Sequence, residues 1–186
     1  MKTQLFRNEG FRFIIKFLLL LALLYYSNLF FISITAKGGN AFYIFLKQDL
    51  DYIDWLRYSI LHVSKVIANF LGIPSKVESE YIIRLTESKK GLRMVYKCVG
   101  YGVMSFWGAF VLANKDSLFK KLSWLLIGWV SIWAINCMRV ILLLTALKNN
   151  WPISPYFDHH TLFNIAAYGF IFLLIYVYTR YDKTIQ

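Results

Sequence analysis

Only two cysteines, three histidines and three prolines occur among the 186 residues, and ten acidic side chains stand against 21 lysines and arginines. With two cysteines, one disulfide, Cys98 to Cys137, is the most the chain can form. Their placement on opposite sides of an apolar segment, a loop and a second apolar segment disfavours it. Cys98 with the adjacent pair His159 and His160 lacks the ligand spacing of a metal site, so no metal and no cofactor is expected. Charge is also absent where it would interrupt apolar sequence. No charged residue falls within 17–36, 98–114 or 161–179, and 122–147 holds only Arg139. Internal repeats and low-complexity stretches are lacking as well.

Apolar sequence dominates what is there. Hydrophobic residues make up 58% of the chain and aromatic residues 19%, with a mean hydropathy of +0.49. That is too apolar for an ordinary soluble domain of this length and points to an integral membrane protein. The net charge of +11 collects at the ends of the apolar segments. It lacks the basic stripe with interleaved aromatics that would mark a nucleic-acid binder, so nucleic acid is discounted and anionic membrane lipid is the expected contact.

The four uncharged or nearly uncharged stretches, 17–36, 98–114, 122–147 and 161–179, predict four transmembrane helices in an all-α bundle, a single membrane domain over 1–186. The first is too long for the apolar core of a signal peptide and is read as an uncleaved anchor. Segment 52–71 repeats its apolar residues at helical spacing, but Arg57, His62 and Lys65 interrupt it, which predicts an amphipathic interfacial helix or a fifth span. Pro74 closes it. Residues 80–97 then read as strand, turn and strand, a short β-hairpin delivering the chain to Cys98. The loop Lys115 to Lys121, the N-terminus with Lys2, Arg7 and Arg12, and the C-terminus with Arg180 and Lys183 are basic. The positive-inside rule places all three in the cytoplasm of a cell whose inner membrane holds the chain, and the hairpin and the 148–160 loop outside.

Under that topology three reactive or ionisable side chains share one depth. Cys98 opens the second span and His160 the fourth, both at their outer ends, while Arg139 stands about 26 Å beyond Leu122 at helical rise. A thiol, a guanidinium and an imidazole are the groups that nucleophilic acyl transfer needs, and an ionisable group at membrane depth is costly enough to point to function. Asn136, one turn before Arg139, would orient the guanidinium or bind a substrate carbonyl. Each residue also has a plainer role. A cysteine in an apolar helix usually packs as a small hydrophobe, which is the reading for Cys137, an arginine can snorkel to headgroups, and a histidine pair can be ordinary loop.

Taken in order, Cys98-Val99-Gly100-Tyr101-Gly102, then Asn136-Cys137-Met138-Arg139, then His160, each at or near a helix end, resemble the exosortase/archaeosortase family of membrane transpeptidases. The resemblance runs over roughly residues 75–180 and is closest to the compact bacterial members. Val99 stands where a small residue is usual, and the residue next to His160 is a second histidine, so His159 is the alternative third member. What the resemblance implies is a cysteine transpeptidase or protease acting on exported proteins that end in a short motif, an apolar helix and a basic tail. Cys98 would be the nucleophile, His160 the base and acid, and Arg139 the stabiliser of the thiolate or oxyanion. The other classes are a protease that hydrolyses without transfer and a non-enzymatic transport or assembly subunit with Arg139 as an anion contact.

Overall fold

Long apolar stretches free of breakers form the long helices. The computed structural model describes residues 9–35, 51–78, 81–88, 90–151 and 159–184, with the side chains of Lys97, 159–164 and 181–184 outside the description. Helix α1 runs Glu9–Thr35, α2 Tyr52–Phe70, α3 Tyr101–Ala113, α4 Leu118–Lys148 and α5 His159–Thr184. Between α2 and α3 lie three strands, β1 Ser75–Glu78, β2 Ile82–Leu85 and β3 Gly91–Arg93, and a 3₁₀ turn Tyr96–Val99. The strands form an antiparallel sheet in the order β1-β2-β3, with Ser75 opposite Leu85 and Ile83 opposite Leu92.

Among the described residues two helices, not the expected four, are long and apolar enough to cross a membrane, α1 with 27 residues and α4 with 31. The reason for α3 is local. Gly100 has φ +80°, in the left-handed region, so Cys98 lies in a turn and the helix starts only at Tyr101. The remaining 13 residues rise about 20 Å, short of a bilayer core of roughly 30 Å. Of α5, whose helix runs to 26 residues, the stretch with described side chains, Ile165–Arg180, is by itself shorter than a full span. The expected hairpin over 80–97 forms as the antiparallel pair β2–β3, and a strand before it, β1, widens it to a three-stranded sheet. Its added strand, Ser75-Lys76-Val77-Glu78, shows a single apolar side chain and so gives no strand signal until Val77 is seen opposite Ile83.

Helix α2 is amphipathic, as its spacing predicts. Asp51 caps it by accepting the Asp54 N–H at 3.0 Å. Ile53, Arg57, Ile60, Leu61, Ser64 and Ala68 are buried while Trp55, Tyr58 and Phe70 are exposed. At 19 residues the helix is long enough to cross, but with Asp54, Arg57 and Lys65 in it α2 is not apolar enough to be a span. It lies beside the second half of α4, tied by Trp133 Nε1 to Ser59 Oγ (3.0 Å), Ser64 Oγ to the Cys137 carbonyl (3.2 Å) and Lys148 Nζ to the Gly72 carbonyl (2.6 Å).

Two apolar clusters divide the molecule. One joins α2, the sheet and the second half of α4 through Ile60, Leu61, Ile83, Val99, Val140 and Leu144. The other joins α3, α4 and α5 through Trp107, Trp124, Leu125, Leu174 and Tyr178. At the far end of this second cluster Lys115 pairs with Glu9 at 2.5 Å and Tyr178 hydrogen-bonds Asp116. The start of α1, the α3–α4 loop and the end of α5 therefore share one end of the molecule, as their basic character anticipated. At the opposite end Lys90 meets Asn150.

Close approach of α3 to α4 depends on one glycine. A Cβ at Gly128 would fall 1.9 Å from Nε1 of Trp107, a fully buried ring whose N–H is held by the Trp124 carbonyl at 2.9 Å. Gly128→Leu is expected to cost about 3 kcal/mol through overpacking, read as a lowered melting temperature in detergent. An unchanged melting profile would show the contact to be slack.

Candidate active site

The segment that carries Cys98 is short, irregular and tied at both ends. Within it, the Cys98 N–H donates to the Val95 carbonyl at 2.9 Å. At its start, Nη2 of Arg57 donates to the Met94 carbonyl at 2.6 Å. At its end, Nδ2 of Asn136 donates to the Val99 carbonyl at 3.0 Å and to the Ile132 carbonyl at 3.1 Å. A turn held this way keeps its side chain in one place, which a nucleophile needs. Gly100 closes it with little room to spare, because a Cβ there would stand 3.0 Å from Nδ2 of Asn136.

One helical turn past Asn136, Nη2 of Arg139 donates to Sγ of Cys98 at 3.3 Å. Residues far apart in sequence are thus in direct contact, with Arg139 and Cys98 both half-buried. Arg139 does not sit at a helix end, since α4 continues to Lys148. The sheet and α2 pack beside that extra length. A cavity of about 70 Å³ opens at the pair, lined by Leu92, Arg93, Met94, Cys98, Asn136 and Arg139 among others. The contact sets a positive charge directly beside a half-buried sulfur.

Asn136 occupies this cavity with its bonding already divided. Both directions of its NH₂ group go to carbonyls of the protein, so it cannot donate to a substrate carbonyl as the spacing had led us to expect. Its Oδ1 is buried and has no partner among the described residues.

Helix α5 opens with His159 and His160, two turns before Ala167, which lines a small space with Gly100 and Asn136. Their backbone therefore starts the helix that packs beside the Cys98 turn, while their side chains lie outside the described ones. Cys137 is elsewhere. It is 3% exposed, its Sγ is 3.9 Å from the Ile60 carbonyl under α2, and both cysteines are free. A larger cavity of about 520 Å³ lies between α1, α3 and α4, lined by Leu24, Met104, Trp129 and Trp133. Neither cysteine lines it. Its polar groups satisfy one another, Tyr52 Oη to Asn28 Oδ1 at 2.5 Å and Asn28 Nδ2 to Ser105 Oγ at 3.2 Å.

Sequence reasoning missed the support beneath the turn. Arg57, 5% exposed, bonds Asp54 Oδ1 at 2.9 Å and lies between two rings, 3.5 Å from the centroid of Tyr81 and 4.4 Å from that of Tyr96. Tyr81 Oη donates to Asp54 Oδ2 at 2.5 Å. Burial, followed for Tyr81 by its bond to Asp54 and for Tyr96 by the charge of Asp54, raises both phenols, so they remain protonated donors through the physiological range. The Asp54-x-x-Arg57 spacing was the available signal. It read as a polar break in α2 because an i, i+3 ion pair looks the same on a solvated face. Arg57→Ala strands Asp54 and the Met94 carbonyl, and is expected to cost about 3 kcal/mol, measured by thermal unfolding in detergent.

A family model described as transmembrane exosortase (Exosortase_EpsH) matches residues 9–177. The chain belongs to the transmembrane exosortase family. No curated protein and no solved structure matches it. As an exosortase it is a membrane protein of a cysteine-peptidase-like family with a transpeptidase-type role.

Proposed function

We propose that this exosortase is a cysteine transpeptidase of the inner membrane, multi-pass and with its site facing outward. It would cleave the C-terminal sorting signals of exported proteins and transfer the proteins to a surface acceptor. The observation that carries the reading is the 3.3 Å contact of Arg139 Nη2 with Cys98 Sγ, within a chain matched to this family over 9–177. The Cys98 thiol gives its proton to His160 and, as thiolate, adds to the scissile carbonyl. The tetrahedral oxyanion then collapses, the C–N bond breaks, and the leaving amine takes a proton from His160, or from His159 if that ring is the nearer. The acyl group remains on sulfur as a thioester until a second nucleophile attacks it and regenerates the thiol. His160 suits both proton transfers because an imidazole titrates near working pH. Arg139 compensates negative charge first on sulfur and then on oxygen, in a site where little water dilutes the effect.

The partners under this reading are secreted proteins that end in a motif, an apolar helix and a basic tail, together with the membrane lipid that holds them. The chemistry asks for no metal and no cofactor. The direct test is to acid-quench a reaction with a co-expressed protein bearing such a tail and look for a substrate fragment on Cys98 by mass spectrometry. A hydroxylamine-labile adduct on Cys98 is the expected result. Processing that proceeds with no adduct on Cys98 under any quench would remove the thioester step.

A further inference from the structure

The edge of β3 is an open hydrogen-bonding surface beside the thiol. Two bonds fix the phase of the β2–β3 ladder, Leu85 N–H to the Lys90 carbonyl (3.0 Å) and Met94 N–H to the Tyr81 carbonyl (2.8 Å). Bonded pairs in an antiparallel ladder recur every second residue, so residues 90, 92 and 94 turn their backbone groups toward β2. Gly91 and Arg93 then turn theirs away. Both are exposed, and nothing among the described residues bonds their N–H or C=O groups. Helix α4 does not fill this edge, because it meets the sheet on the face carrying Ile83 and Leu92, in the cluster with Val140 and Leu144. The opposite edge, β1, packs beside α2. Of the two edges, the open one leads through Met94 to Cys98, and Leu92, Arg93 and Met94 line the cavity of the Cys98–Arg139 pair.

We infer that the segment of the exported protein preceding its membrane helix binds in extended form as a fourth strand on β3. Its backbone pairs with the N–H and C=O of Arg93 and Gly91 and its scissile carbonyl is carried to Sγ of Cys98. The proposal rests on the cysteine transpeptidase reading and adds how the substrate is held. Strand addition supplies affinity through main-chain bonds, and alternate side chains supply selectivity. An unpaired edge is otherwise a liability that proteins cover or charge.

The test uses the full chain in detergent and two electrophiles, ethyl vinyl sulfone and acetyl-tetra-alanyl vinyl sulfone, with the rate of Cys98 alkylation followed by intact mass. The peptide is expected to react at least about tenfold faster than the ethyl compound. Methylating its amide nitrogens one at a time should slow it about three- to tenfold at alternate residues only, the loss of one hydrogen bond each. Arg93→Pro, which deletes the outward N–H, should abolish the peptide's advantage, while Arg93→Ala should keep most of it. A peptide no faster than ethyl vinyl sulfone, or losses that do not alternate, overturns the edge proposal while leaving Cys98 a reactive thiol. Should Arg93→Pro fail to fold, the methylation series on the native chain decides alone. A Cys98 inert to both electrophiles overturns the cysteine transpeptidase reading and the edge proposal with it.

Discussion

Cys98→Ala is expected to lower processing of a protein bearing the C-terminal signal by at least about a thousandfold, the scale of losing a covalent nucleophile, with the variant still folded in the membrane. The expectation of intact folding is structural. Cys98 is half-buried in a turn whose ends are held by Arg57 and Asn136, and neither anchor uses the sulfur. The comparison that gives the result meaning is Cys137→Ala. That sulfur is buried in the apolar cluster under α2, 3.9 Å from the Ile60 carbonyl, so its removal is a packing change of about 1 kcal/mol that should leave most activity. Immunoblots of substrate processing, with both variants quantified in the membrane fraction, measure the pair. Equal losses in the two variants, or full activity in Cys98→Ala, would sink the nucleophile assignment and leave a non-enzymatic membrane subunit as the better account.

The difference between these cysteines was legible in the sequence, and so was the meeting of Cys98 with Arg139. A thiol before Gly100 and a guanidinium in the longest apolar stretch have few reasons to be where they are except each other. Less legible was everything that depends on a short polar segment. The turn at Tyr96–Val99 follows from the φ of Gly100, and a glycine before an apolar run reads as helix just as well. Strand β1 carries one apolar residue and acquires its identity only by pairing. Arg57 is the clearest case. It looked like the charge that spoils a span, yet it is buried between Tyr81 and Tyr96 and holds the chain that leads to the thiol. Sequence periodicity reports which face of a helix is apolar. It does not report that another part of the chain will bring two rings and a carboxylate to an arginine on that face. The role of Asn136 shifted for a related reason, since spacing placed it near Arg139 but only the fold shows its NH₂ group spent on the turn.

Arg139→Lys should reduce processing about a hundredfold or more, comparable to removing one oxyanion donor, although the charge is kept. The guanidinium reaches Cys98 Sγ through Nη2 at 3.3 Å, as one donor of a rigid planar fork. A lysine offers a point charge on a flexible stem, which cannot hold a sulfur and a developing oxyanion in one plane. If the residue only anchored α4 to lipid headgroups, lysine would serve as well, so near-native activity in Arg139→Lys removes it from the chemistry. Two readouts together separate its steps. Slower alkylation of Cys98 by ethyl vinyl sulfone assigns Arg139 to the thiolate, whereas native alkylation with lost processing assigns it to the oxyanion. Comparing His159→Ala with His160→Ala then completes the site, because loss of the base should flatten the pH profile of processing near neutrality in one variant only. His160, closer by one residue to the body of the helix that packs at Gly100 and Asn136, is the one expected to do so. A neutral limb retained in both variants would mean that the proton moves through another group.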